Sequence, residues 1–276
     1  NHIDNVLLNY CGTFEPDAIF YVMLGDGYNN VLGSKLNPTL TCLERIKNKG
    51  IFNSFIWCDT GFNWGLKTIE ELQPYADLHI VWDNPRSERH DTYPAIENCI
   101  RLWTPEDETL YHDRDEKNID ASFLASLAGY YQRINFVQEA KKRKLNIHIS
   151  GGQRQAALNA ESYASIVRRS KIGINFSSNI ELPFHQAKGR IFEYTASKAL
   201  LLDSDNPSTQ DFYKKDVDYI AFSDLNDLIE KIEYYVNNEN ERQAIANNGH
   251  KRFKENWTAQ RYWDIIMERV RSGLKR

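Results

Sequence analysis

One glutamate stands where an apolar helix has no evident use for it. In AKGRIFEYTASKALLLDSDN (Ala187 to Asn206), Glu193 is set among Ile191, Phe192 and Tyr194, and Lys188 and Arg190 precede it. Arg190 and Glu193 are three residues apart, so a helix puts them on one face. A carboxylate hemmed in by apolar side chains needs hydroxyl or N–H partners. A ribose diol supplies two hydroxyls, and Lys188 and Arg190 at the helix entrance suit a diphosphate. A surface ion pair at i,i+3 accounts for the same spacing.

Two further stretches place glycines between a strand and a helix. In LAGYYQR, Gly129 opens a helix whose first turn carries Arg133. Free N–H groups and the positive end of the helix dipole draw anions there, and the arginine adds a charged fork. In HISGGQ, Gly151 and Gly152 end a strand and let backbone approach a ligand closely. A plain turn fits either pattern, and His148 reads as a core residue. Asp203 and Asp205 in DSD are the nearest thing to a metal-binding Asp-x-Asp, and both read as turn residues. No metal-ligand spacing is visible among Cys11, Cys42, Cys58 and Cys99, which read as reduced, mostly buried thiols of a cytoplasmic protein.

The elements that must position these residues alternate. PDAIFYVML, FNSFIWCD and ADLHIVWD read as strands, the last two ending in Asp59 and Asp83. Between the first two, Asn37 caps a helix that begins at Pro38, shows Leu40, Leu43 and Ile46, and ends at Gly50. The charged stretch Thr104 to Asp120 reads as a linker. A second series follows: strand DASFLAS, helix 130–144, strand LNIHIS, helix 160–170, strand KIGINF, helix 189–197, and strands ALLLD and DYIAF. Ser223 caps the next helix, and two more helices, 239–255 and 258–270, close the chain. This is the α/β class with parallel sheets. It predicts two Rossmann-like domains, 1–117 and 118–276, with ligands in the cleft between them, at the carboxyl ends of strands.

The chain has 276 residues, 41% of them hydrophobic, enough for two modest cores. Its net charge of −4 disfavours nucleic acid as a partner. No apolar run approaches the roughly 20 residues that span a bilayer, and no signal peptide is visible.

The motifs, taken together, resemble a family. SKIGINFS, KGRIFEYTASKALLL and DYIAFSDLNDLIEKIEYYVNNENERQAIANNGHKRFKENWTAQRYW resemble the C-terminal half of GT-B glycosyltransferases, most closely the CgeB-like, spore-maturation type. Weaker likeness reaches upstream through PDAIFYV, GIFNSFIWCD, YADLHIVWD and DASFLASLAGYYQR, so it covers about residues 16 to 263. The resemblance implies transfer of a sugar from a nucleotide diphosphate sugar, with no cofactor and no bound metal, to an acceptor that is a glycan, a protein or a small molecule. It makes Glu193 the ribose-binding carboxylate, second in an E-x7-E type motif. The first position is His185 here, a departure from the motif, and Lys198 stands where a glycine is common. The first lobe is shorter than the family's. For an inverting reaction the base must come from the first half, and Asp59 is the first candidate, ahead of His90 and Asp26. Two rivals stand beside this reading: a two-lobed binding protein without chemistry, and a phage-type transferase acting on nucleic acid.

Overall fold

The computed structural model describes residues 2–23, 32, 34–58, 63–82, 97–151, 158–177 and 186–275. They form α1 (His2–Phe14), β1 (Ala18–Val22), α2 (Leu40–Lys47), β2 (Phe52–Trp57), α3 (Asn63–Leu72), β3 (Leu78–Val81), β4 (Cys99–Arg101), β5 (Ile119–Leu124), α4 (Tyr131–Lys142), β6 (Ile147–Ser150), α5 (Ala160–Arg169), β7 (Ser170–Asn175), α6 (Gly189–Ala196), β8 (Leu200–Ser204), α7 (Pro207–Gln210), β9 (Ile220–Phe222), α8 (Leu225–Asn237), α9 (Glu239–Asn256) and α10 (Ala259–Leu274). Two compact units result, Asn1–Trp103 with Trp263–Arg276, and Thr104–Tyr262. The sequence placed the change at 117/118, whereas these units change at 103/104 and the end of α10 belongs to the first.

The first unit holds a parallel sheet in the order β1-β2-β3-β4. Every residue of β2 is buried, as a run covered on both faces requires. Tyr21 stacks on Phe55 with ring centroids 4.9 Å apart, and Leu43, Ile69 and Leu72 close the core. Helix α2 starts later than Asn37 and Pro38 suggested. Its cap is Thr39, whose hydroxyl accepts from the Cys42 N–H, while Thr39 donates its own N–H and O–H to the Asp4 carboxylate at 2.9 and 2.8 Å. Asn37 instead donates its N–H to the Ser34 carbonyl in a preceding turn. Strand β4 has three residues, too few to show a period in sequence.

The second unit is a five-stranded parallel sheet ordered β6-β5-β7-β8-β9. The chain starts at β5, adds β6 on one side, then crosses to the other side for β7. The switch point of such a sheet lies at the carboxyl ends of β5 and β7. Phe123, Phe136, Phe176 and Phe222 meet largely edge to face in the core, with centroids 5.3 to 5.7 Å apart. Gly173 in β7 is required by packing, because the ring of Tyr194 occupies the space of any Cβ there. Helix α8 is capped by Asp224 rather than Ser223. The Asp224 carboxylate accepts from the N–H groups of Asn226 and Asp227, and Ser223 donates its N–H to Asp227.

The charged stretch after Trp103 is packed structure of the second unit rather than a tether. Arg168 of α5 donates to the Leu110 carbonyl and to Asp115, and the Lys117 ammonium donates to the carbonyls of Arg168 and Ser197 at 2.6 Å each. The Lys117 charge, which read as solvated, is spent on two helix ends. His148 is exposed rather than in the core, because β6 is an edge strand. All four cysteines are free thiols. Cys11 and Cys42 are buried, and burial raises the thiols of Cys42 and Cys99 to about 11.

Candidate functional site

The switch point of the second unit is lined by two guanidinium groups. Strand β5 ends at Leu124, and the chain turns through Gly129, at φ 75°, into α4. A side chain at that φ is strained, so glycine is the residue that makes this turn easily. Tyr130 caps α4 without a side-chain bond, so no side chain covers the first N–H groups from that position. Arg133, in the first turn, folds back over the strand ends. Its Nη1 donates to the Ser126 carbonyl at 2.9 Å and its Nη2 to the Phe176 carbonyl at 3.3 Å. The guanidinium lies 3.6 Å from the centroid of the Tyr130 ring, a cation–π contact.

Arg190 reaches the same place from α6. Its Nε donates to Asn175 Oδ1 at 3.0 Å and its Nη1 to the Leu124 carbonyl at 3.3 Å. Both guanidiniums thus tie the end of β5 to the end of β7 through neutral acceptors. Neither has a carboxylate partner among the described residues. Arg133 is 4% exposed, and its buried Nε has no hydrogen-bond partner. Burial, and then the charge of Arg190, lower the Arg133 pKa to about 10, which leaves it a cation at neutral pH. A buried guanidinium beside a half-buried one, with no counter-ion among the described residues, is costly, and an anion bound between them lowers the cost.

Behind Arg190 stands a buried polar hub. Asn175 donates its Nδ2 to Asp203 Oδ1 at 2.8 Å, and Asp203 also accepts from Ser177 Oγ, Thr209 Oγ1 and Asn206 Nδ2. Asp203 is therefore not a turn residue. It lies near the end of β8 with no exposure, its pKa pushed up to about 6 by burial against the pull of those donors. Asp205 lies beyond the strand and pairs with Lys215 at 2.6 Å. The two carboxylates have separate partners, and among the described residues no group of three acidic, histidine or cysteine side chains is placed to hold a metal ion.

Glu193 is the fifth residue of α6, one turn beyond Arg190. The i,i+3 ion pair does not form. Arg190 goes to the strand ends, and Glu193 Oε2 accepts from the Tyr163 hydroxyl of α5 at 2.6 Å. The residue keeps part of its surface open while its carboxyl group is enclosed. Burial raises the carboxyl pKa, and the Tyr163 hydrogen bond and the Arg190 charge oppose that rise.

The other expected residues fall differently. Lys188 sits at the N-cap of α6, and its Nζ donates to Gln186 Oε1 at 2.9 Å. Gly151, at φ 99°, makes a close backbone approach, but to the chain's own Ala125 carbonyl. Gly152, Asp59 and His185 lie outside the described residues, as do Asp26, Asp83 and His90. Sequence reasoning missed Tyr163 and Asn175. The asparagine had a readable signal, a polar residue closing an apolar strand. Tyr163 had none, since a tyrosine in an amphipathic helix reads as core.

Residues 132–268 match a family described as glycosyl transferase-like. Among solved structures, a TarM variant from S. aureus in complex with fondaparinux, α-GlcNAc-glycerol and UDP is similar at 16% identity, over 81% of this chain and 51% of that one, with a TM-score of 0.60. HepE from Anabaena in complex with UDP and glucose is similar at 11% identity, over 97% and 81%, at 0.62. A glycosyltransferase from Rickettsia africae is similar at 10% identity, over 99% and 80%, at 0.65. The chain spans about half the length of that TarM chain. No curated protein matches it by sequence. The fold is that of the GT-B glycosyltransferases.

Proposed function

We propose that this chain is a glycosyltransferase that takes a sugar from a nucleoside diphosphate sugar, with the nucleotide held in the second unit. The observation that carries the reading is the pair of guanidiniums at the ends of β5 and β7, buried Arg133 and half-buried Arg190, without a carboxylate partner among the described residues. A diphosphate supplies the missing counter-charge there, and the N-terminal N–H groups of α4 are placed to add to it. Glu193, one helical turn further on, takes the ribose hydroxyls. As the sugar leaves, negative charge grows on the diphosphate, and fixed cations at that point stabilise the transition state. In this reading the guanidiniums do the work that a metal ion does in other transferases.

Uracil is the first base to test, because the similar TarM and HepE structures hold UDP. The likeness of the RIFE segment and the closing helices to the CgeB-like group supports reading the chain as a transferase of that kind. The acceptor, a glycan, a protein or a small molecule, is met by residues outside this site. Two measurements on the full chain test the reading. Thermal stabilisation by UDP, GDP, TDP and CDP reports the nucleotide site, and hydrolysis of the corresponding nucleotide sugars reports chemistry. Stabilisation without any turnover, even with a panel of acceptors, would replace the enzyme by a binding protein.

A further inference from the structure

We infer that Tyr163 is a positioning residue for Glu193: its hydroxyl occupies Oε2, fixes the carboxylate against α5, and leaves Oε1 as the one acceptor turned over to a sugar diol. This inference rests on the nucleotide reading above and extends it to a selection for ribose over deoxyribose. The geometry is asymmetric. The Tyr163 hydroxyl lies 2.6 Å from Oε2, and no protein group donates to Oε1 among the described residues. A carboxylate held at one oxygen keeps a single orientation, so its free oxygen is in place before a ligand arrives.

The charges around the group give Tyr163 a second duty. Facing Glu193 are Tyr163 from α5, Arg190 and Tyr194 from α6, and Tyr111 from the segment before β5. Among the described residues, Tyr163 and Arg190 favour the ionised carboxylate, against its burial. A diphosphate bound at Arg190 cancels much of that positive field. The tyrosine hydrogen bond is then the remaining support for the charge at the moment a ribose hydroxyl must donate to it. A protonated Glu193 offers the diol a poorer acceptor and loses the selection.

The test is calorimetric titration of the full chain with UDP and 2′-deoxy-UDP, and with GDP and 2′-deoxy-GDP, from pH 6 to 8.5. Wild type, Tyr163→Phe, Glu193→Gln and the double variant are compared. We expect wild type to prefer the ribonucleotide about tenfold at pH 7. Tyr163→Phe lowers that preference about threefold or more, and raising the pH restores part of it, because loss of the hydrogen bond leaves the enclosed carboxyl easier to protonate. Glu193→Gln loses the preference, and adding Tyr163→Phe to it changes nothing further, because the tyrosine acts through the glutamate. A Tyr163→Phe protein with the wild-type preference and pH profile overturns the inference alone. So does an equal loss on top of Glu193→Gln. If wild type binds none of the four nucleotides, nor CDP or TDP, the nucleotide reading itself has failed and the inference falls with it.

Discussion

At the scale of the residue, the site is built around Arg133, Arg190 and Glu193, which form no ion pair among the described residues. Arg190 could have paired with Glu193 three residues on, and instead each turns to a different neighbour. The sequence showed both residues and their shared helix, because an arginine and a glutamate inside an apolar pattern are visible by type alone. It did not show where each would bond, since Tyr163, Asn175 and Leu124 come from other elements. Asp203 was misread for a related reason. DSDN has the composition of a turn, and nothing local says that Asn175, Ser177 and Thr209 converge on the first aspartate. Arg190→Ala should weaken nucleotide binding by about tenfold or more, since a charged hydrogen bond contributes about 1.5–3 kcal/mol. Calorimetric titration checks it, and a variant that binds like wild type removes Arg190 from the site. Asp203 gives a prediction in pH. Its folded pKa of about 6 lies above the ordinary 3.8, so the folded state holds the proton more tightly. Its contribution to stability therefore grows as pH falls from about 6 toward 4, on the order of a few kcal/mol in all. Asp203→Asn should remove that rise from denaturant midpoints measured at pH 7, 6 and 5, whatever its effect on stability at pH 7.

At the scale of the element, most of the second unit was legible. Its strands alternate with helices, and each apolar run was short, bounded and followed by a turn signal. The caps were placed one or two residues early, at Asn37 for Thr39 and Ser223 for Asp224, because both neighbours are good capping types. The geometry of the bonds, and not the residue type, chooses between them. The harder case was the segment between the two sheets. Its charges suggested a solvated tether, yet Lys117 inserts its ammonium between the ends of α5 and α6, the helices that carry Tyr163 and Glu193. Helix ends expose carbonyl groups and the negative end of the dipole, which is why a cation settles there. Burial lowers the Lys117 pKa to about 7, below the usual 10.5. Between those values the unfolded chain binds the extra proton, so this group makes stability rise with pH from about 7 to 10. Lys117→Met should flatten that rise in urea midpoints measured from pH 7 to 9.5. A slope identical to wild type would show that the ammonium is not held in the enclosed position.

At the scale of the whole molecule, the chain carries separate apolar cores, one around Phe55 and Leu72 and another around Phe123, Phe136 and Phe176. A doubly wound half was readable from the order of its elements, but the return of Trp263–Arg276 to the first unit was not. That return depends on which surface the last helix meets. Trp263 reaches Phe20 edge to face at 5.6 Å, and the Phe52 ring lies where a Cβ on Gly273 would fall. Two cores make two melting events possible, and the nucleotide reading says which one a ligand moves. A nucleoside diphosphate bound at Arg133 and Arg190 stabilises the unit that holds them by mass action, about 2.7 kcal/mol at a hundredfold excess over the dissociation constant. For a unit of this size that is a rise of roughly 5–10 °C in its transition. Scanning calorimetry with saturating UDP should therefore raise one transition and leave the other nearly fixed, or raise a single merged transition by a smaller amount. Arg133→Ala and Arg190→Ala should each lose most of the rise. A shift that survives in both variants would place the nucleotide elsewhere in the molecule, and the two guanidiniums would then be tying β5 to β7 and nothing more.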